Sequence, residues 1–221
     1  MRKLIVNAHV SLDGVMQAPG GPEEDPSGGF RHGGWSAPYA SKETGDAIIG
    51  MMAEPFDLLL GRRTYEIFAA YWPYHDDNPI GARFNAATKH VATRTLTQLE
   101  WENSVRLEGD VVAAIRQLKA GDGVDIHVWG STVLLRTLLA AGLIDEYRLL
   151  IYPLVLDRGK RLFDENTPEH ALTLTDSLTS STGVTLNTYR PAGPIRPGSH
   201  VTDAPSEAEL ARRRKLGSET A

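Results

Sequence analysis

The chain has 221 residues, 41% of them hydrophobic and 23% charged, enough to bury a sizeable core in one large α/β domain or two small ones. With 28 acidic against 23 basic residues the formal net charge is −5, which argues against bulk nucleic-acid binding. Cysteine is absent, so disulfides, thiolate catalysis and cysteine-ligated metal sites are excluded.

Residues 2–10 are apolar and rich in β-branched side chains, the pattern of a buried first strand. The run lacks the apolar length of a signal peptide, and no stretch nears the roughly 18 apolar residues of a membrane span, so a cytoplasmic protein without a membrane partner is expected. Ser11-Leu12-Asp13-Gly14 turns the chain into an irregular loop over 18–38, rich in Gly, Pro and acids. Phe30 and Trp35 within it favour a lid or pocket wall, although aromatics also anchor loops. Residues 41–53 read as a helix capped by Ser41, with Ile48, Ile49, Met51 and Met52 on its apolar face.

A strand at 57–60 leads through Gly61 into a helix to about residue 70. The loop after it contains His75-Asp76-Asp77, which reads as solvated rather than as a metal site, and no metal is expected elsewhere. A short helix at 81–87, strands at 89–93 and 104–107, and a helix at 110–120 capped by Asp110 follow. The strand 125–129 then passes through Gly130-Ser131-Thr132 into a helix at 133–141. Strands at 147–156, 172–178 and 184–189 come next without helices between them, as antiparallel partners of a parallel core. The first of these could lie at an edge and pair across a two-fold axis, giving a homodimer, or be buried in the sheet. Residues 191–221 read as an extended or partly helical tail, with Arg212-Arg213-Arg214-Lys215 a solvated helical end.

Two arginines follow Gly61 in the first turn of a helix, where partial positive charge on free N–H groups makes cations costly unless an anion sits among them. A phosphate is the anion such N–H groups cradle, and glycine lets the backbone approach it; a solvated pair of arginines is the plainer alternative. Gly130 repeats the strand, glycine, helix plan, and the carboxyl edge of an open parallel sheet is where ligands bind. Arg94, beyond another strand end, would add charge for a third phosphate. No Gly-x-Gly-x-x-Gly follows the first strand, and neither a Gly-Lys-Ser/Thr loop nor a Gly-x-Ser-x-Gly elbow is present.

In chain order, Ser11-Leu12-Asp13-Gly14, Leu60-Gly61-Arg62-Arg63-Thr64-Tyr65, Tyr71-Trp72-Pro73, Gly130-Ser131, Leu143-Ile144-Asp145-Glu146-Tyr147, Pro153-Leu154-Val155-Leu156 and Gly159-Lys160-Arg161-Leu162-Phe163 resemble the dihydrofolate reductase-like family. The nearer match is the branch sharing the reductase domain of bacterial riboflavin biosynthesis. The resemblance implies a three-layer α/β fold over residues 1–190, with a mixed, mostly parallel sheet, antiparallel C-terminal strands and flanking helices. It implies an NADPH-dependent oxidoreductase acting on a small molecule: a pterin, a riboflavin precursor such as 5-amino-6-(5-phosphoribosylamino)uracil, or a carbonyl compound.

The resemblance also implies roles. Ala8 would lie near the nicotinamide, with Gly14 in the loop beside it. Gly61, Arg62, Arg63 and Thr64 would hold the pyrophosphate and the adenosine phosphate, with Gly130, Ser131 and Thr132 closing from the other side. Thr93 and Arg94 would flank the adenosine, Arg94 taking the 2′-phosphate through a bidentate guanidinium. Ser131 stands where dihydrofolate reductases have the second glycine of a pair, which could weaken or re-aim that contact. Asp46 and Asp13 are the candidate substrate-side acids, though the first lacks the surrounding proline and aromatic pattern. No deaminase domain is present, so at most the reductase half is expected. The alternative is a nucleotide-binding or regulatory module that keeps the fold and has lost catalysis.

Overall fold

Strand β1 (Leu4–Ser11) is covered on both faces, with Leu4, Val6, Ala8 and Val10 apolar on one and Ile5, Asn7, His9 and Ser11 on the other. In the computed structural model, which describes residues 1–201 and 203–219, seven further strands join it: β2 (Phe56–Gly61), β3 (Lys89–Ala92), β4 (Ser104–Arg106), β5 (Asp125–Trp129), β6 (Glu146–Tyr152), β7 (Leu172–Thr179) and β8 (Thr185–Pro191). They form one sheet in the order β4-β3-β2-β5-β1-β6-β8-β7. Pairings from β4 through β6 are parallel, and those of β8 with β6 and β7 are antiparallel. This is the mixed, mostly parallel α/β architecture expected.

Among the described residues six α-helices accompany the sheet: α1 (Lys42–Met51), α2 (Arg62–Ala69), α3 (Pro79–Ala86), α4 (Val111–Ala120), α5 (Thr132–Ala140) and α6 (Glu207–Glu219). A reciprocal capping box between Ser41 and Thr44 starts α1, and the Asp110 carboxylate accepts from the Ala113 N–H to start α4. Leu4, Val6, Ala8 and Val10 of β1 pack with Ile115 of α4 and Leu134, Leu135 and Leu138 of α5. On the other face Leu58 and Leu60 of β2 pack with Met52, Tyr65 of α2 and Phe84 of α3. The helix α6 buries no residue.

Two expectations are corrected. Of the two placements left open for β6 the sheet shows the interior one, between β1 and β8, and the correction is to its direction: it runs parallel to β1 and antiparallel only to β8. The crossover through α5 returns the chain to the end from which β5 started, leaving β1 between the two strands. It also stops at Tyr152 rather than 156, because Pro153 has no N–H to continue a ladder. In the 18–38 loop, Phe30 and Trp35 are anchors, packed with Val15, Leu150 and Tyr152. The loop's earlier residues, Ala18 to Asp25, form the wall of a cavity.

Candidate functional site

That cavity, of about 1420 Å³, opens along the carboxyl ends of β1, β2, β3 and β5. It exceeds the roughly 300–1,000 Å³ of a pocket for one small ligand, so it has room for two.

At one end, two helices begin side by side. Gly61 ends β2 in extended conformation and caps α2 without a side-chain hydrogen bond, and the first turn of α2 holds no acid. Ser131 caps α5, also without a side-chain cap or first-turn acid, and it does so in the left-handed region at φ 62°. For a serine that conformation costs on the order of 1–2 kcal/mol, and two hydrogen bonds hold it. The Gly61 N–H donates to Ser131 Oγ at 2.9 Å, and the Ser131 N–H donates to Thr64 Oγ1 at 2.9 Å. The Ser131 hydroxyl itself donates to the Trp129 carbonyl at 3.2 Å. In place of a second glycine, the serine thus ties the ends of β2 and β5 together.

Gly130 has φ +57°, and a Cβ there would meet Thr64 Oγ1 at 3.1 Å and Cγ2 at 3.2 Å. Glycine therefore allows the two helix starts to approach. The first-turn N–H groups of both helices are left for water or an anion, the arrangement that binds phosphate. Thr93, whose hydroxyl accepts from the Thr95 and Leu96 N–H groups, and Arg94 extend this wall. Arg94 is exposed and has no ion pair among the described residues. These residues fit a nucleotide carrying a pyrophosphate and a further phosphate.

The other arginines have partners. Arg62 pairs with Glu66 at 2.9 Å one turn on, and Arg63 reaches Asp25 at 3.2 Å and Ser27 Oγ. Lys160 also pairs with Asp25, so one loop carboxylate bridges two cations on the cavity wall. Burial opposes the charge on Asp25, but hydrogen bonds from Lys160 and Ser27 outweigh it and hold the carboxyl below its usual range. Gln17 fastens the same loop, donating to the Asp25 and Ser27 carbonyls and accepting from the Lys160 N–H.

The other end is apolar. Ile48 of α1 and Met52, the residue that ends it, face it, α3 supplies Ile80 and Phe84, and β5 supplies Trp129. The far half of α2 and the turn after it add Ile67, Phe68, Tyr71 and Trp72. His9 of β1 is the titratable group among them. Its Nδ1 is 2.7 Å from the Tyr152 hydroxyl, and its ring stacks on that tyrosine at 5.7 Å. Burial pushes its pKa down to about 4, so the imidazole is neutral near pH 7.

Of the residues singled out in the sequence, Gly61, Arg62, Arg63, Thr64, Thr93, Arg94, Gly130, Ser131 and Thr132 come together on this wall. Four do not. Ala8 faces the α4 and α5 core because side chains alternate along β1, and its neighbour His9 takes the cavity face. Gly14 lies in the turn after β1, outside the wall. The Asp13 carboxylate accepts from the Leu156 and Asp157 N–H groups at 3.0 Å and pairs with Arg161, which fixes the 153–161 segment. Asp46 points to solvent and pairs with Lys42, because the helix phase that turns Ile48 and Met52 inward turns it outward. His9, Gln17, Asp25 and Lys160 were not foreseen.

A model of the RibD C-terminal domain family matches residues 2–186, and the chain belongs to that family. Bacillus subtilis YyaP, an uncharacterized protein, is 25% identical over 196 residues, covering 85% of this chain and 94% of YyaP. Among solved structures, a putative riboflavin biosynthesis protein from Shewanella sp. PV-4 shares the fold at 20% identity and a TM-score of 0.62, over 86% of this chain and 98% of that one. Dihydrofolate reductase from Enterococcus faecalis, in a complex with NADP(H) and RAB-propyl, shares it at 14% identity and 0.52, over 86% and 96%. The family and the fold are of reductase type.

Proposed function

We propose that this member of the RibD C-terminal domain family is an NADPH-dependent reductase of a small heterocyclic or carbonyl substrate. The observation that carries the reading is the pair of interlocked, uncapped helix starts at Gly61 and Ser131, opening on a cavity with room for two ligands. When bound, NADPH would supply the hydride. The chain's own part is orientation and electrostatics. N–H groups of the first turns of α2 and α5 hold the pyrophosphate, and the Arg94 guanidinium takes the 2′-phosphate. The apolar end excludes water and stacks the reacting rings against its aromatic walls. Asp25, bridging Arg63 and Lys160, keeps the 18–25 segment folded over the wall. We assign this activity to residues 1–190 and read the remainder as a tail.

Titration with NADPH tests this, because Trp129 and Trp72 line the cavity and serve as reporters. Energy transfer from tryptophan to the nicotinamide is expected, with about 2.7 kcal/mol of added stability at 100 times the dissociation constant. Neither signal appearing would overturn the reading. One observation favours the alternative, a binding module without catalysis: no carboxylate from α1 reaches the apolar end, since Asp46 faces solvent. NADPH oxidation with any of a panel of pterins, flavin precursors and simple carbonyls excludes the module; binding without turnover on all of them establishes it.

A further inference from the structure

The charges on the cavity wall are unevenly placed, and this bears on what the second ligand is. Of the cations there, Arg62 is paired with Glu66, and Arg63 and Lys160 share Asp25. Arg94 is left, and it stands at the phosphate end. The walls contributed by α1, α3, β5 and the far half of α2 carry no charged side chain. An anionic substituent placed among Ile48, Met52, Phe84 and Trp129 would lose its hydration with no cation to replace it, at a cost of several kcal/mol. A flat, uncharged ring meets aromatic faces there instead.

One polar group is built into this end with its ring held in place. The His9 ring is held by the Tyr152 hydroxyl and lies tilted against Trp129 at 6.3 Å. Tyr152 is in turn packed edge-on by Trp35 at 5.1 Å and Tyr39 at 5.9 Å. His9 Nε2 has no hydrogen-bond partner among the described residues. The buried Nε1 of Trp129, a residue only 6% exposed, has none either. Burial keeps the imidazole uncharged, so it adds no charge to the apolar end. A Tyr152 hydroxyl that donates to Nδ1 leaves the ring's one proton on Nε2.

We propose that the apolar end binds an uncharged, flat ring compound with one carbonyl-type acceptor, which takes a hydrogen bond from His9 Nε2, and that it excludes phosphorylated and carboxylated analogues. The inference rests on the reductase reading and narrows it, away from the phosphoribosyl substrates that the resemblance to the riboflavin branch implies.

Calorimetry on the full chain tests it with three probes: 1-indanone, its ring-carboxylated analogue, and indane, which lacks the carbonyl. NADP⁺ is titrated first, and each probe is then measured with and without it. Indanone is expected to bind at least about tenfold tighter than the carboxylate, the scale of one desolvated charge-free contact. His9→Phe keeps a ring of similar size and is expected to cost indanone about tenfold while leaving indane unchanged. Tyr152→Phe, which frees the imidazole without emptying the site, is expected to give a smaller loss for indanone alone. The proposal is overturned if indanone does not bind, if the carboxylate binds as tightly, or if His9→Phe leaves indanone unaffected. Failure of NADP⁺ to bind instead sinks the reductase reading, and the probes measured on the free chain still decide the proposal.

Discussion

The two ends of the cavity are assembled from different kinds of sequence. The proposed phosphate end comes from two contiguous stretches, 61–64 and 130–132, whose backbone N–H groups are the proposed ligands. The apolar end comes from single residues of α1, α2, α3, β1 and β5, brought together by the sheet. A backbone cradle tolerates little change, because a glycine and a left-handed serine hold it in register. The apolar end is set by packing and by one oriented imidazole, so its side chains can vary in shape while the cradle stays put. On the proposed reading, the fold fixes the nucleotide end and leaves the substrate end open to specialisation, as binding on a shared scaffold allows.

The largest expected effect is at the cradle. In Gly130→Ala the new methyl meets Thr64 in a backbone region that alanine disfavours, and Thr64 must give by a few tenths of an ångström, straining its hydrogen bond with the Ser131 N–H. A loss of about 2 kcal/mol in stability and about 100-fold in NADPH affinity is expected, read by denaturant titration and by fluorescence. An alanine variant that binds NADPH like the parent would remove the distinction between the two ends.

Arg94→Ala comes next. Losing one charge-assisted contact to the 2′-phosphate is expected to weaken NADPH about 10-fold or more and to leave NADH within about twofold. Arg63→Ala should do less, because that guanidinium already engages Asp25 and Ser27. Equal losses for NADPH and NADH would withdraw the assignment of Arg94.

The effect that is smallest at neutral pH, and grows only in acid, compares two histidines, one at the cavity and one beneath it. Burial lowers both His9 and His127 from 6.5 to about 4, and for His127 the Arg148 charge adds to burial. Between these values the unfolded chain binds protons that the folded chain does not. Stability is therefore full above about pH 6.5 and declines as pH falls through about 4, by up to about 3 kcal/mol for each group. His127, stacked on Phe56 at 4.5 Å, and His9 should each flatten this acid limb when replaced by Phe, measured by thermal unfolding against pH. Only the His9 variant should also change the affinity for carbonyl-bearing ring compounds.

Much of this was legible in the chain. The glycine and arginine run at 61–64, the repeat of its plan at 130–132, and the caps at Ser41 and Asp110 are local, so spacing alone reveals them. β1 carried a signal that the resemblance outweighed: Val6, Ala8 and Val10 alternate with the polar Asn7, His9 and Ser11, which puts Ala8 toward the helices and His9 on the opposite face. The direction of β6 depends on the crossover through α5, and the role of Asp25 depends on Lys160, which lies 135 residues away. Asp46 misled because an acid's helix phase matters more than its being on the helix.

The most direct test is a crystal structure with NADP⁺ bound. The account predicts the pyrophosphate against the first-turn N–H groups of α2 and α5, the 2′-phosphate at Arg94, and the nicotinamide directed toward His9. A dinucleotide lying in the reverse sense, or with its pyrophosphate away from both helix starts, would contradict it.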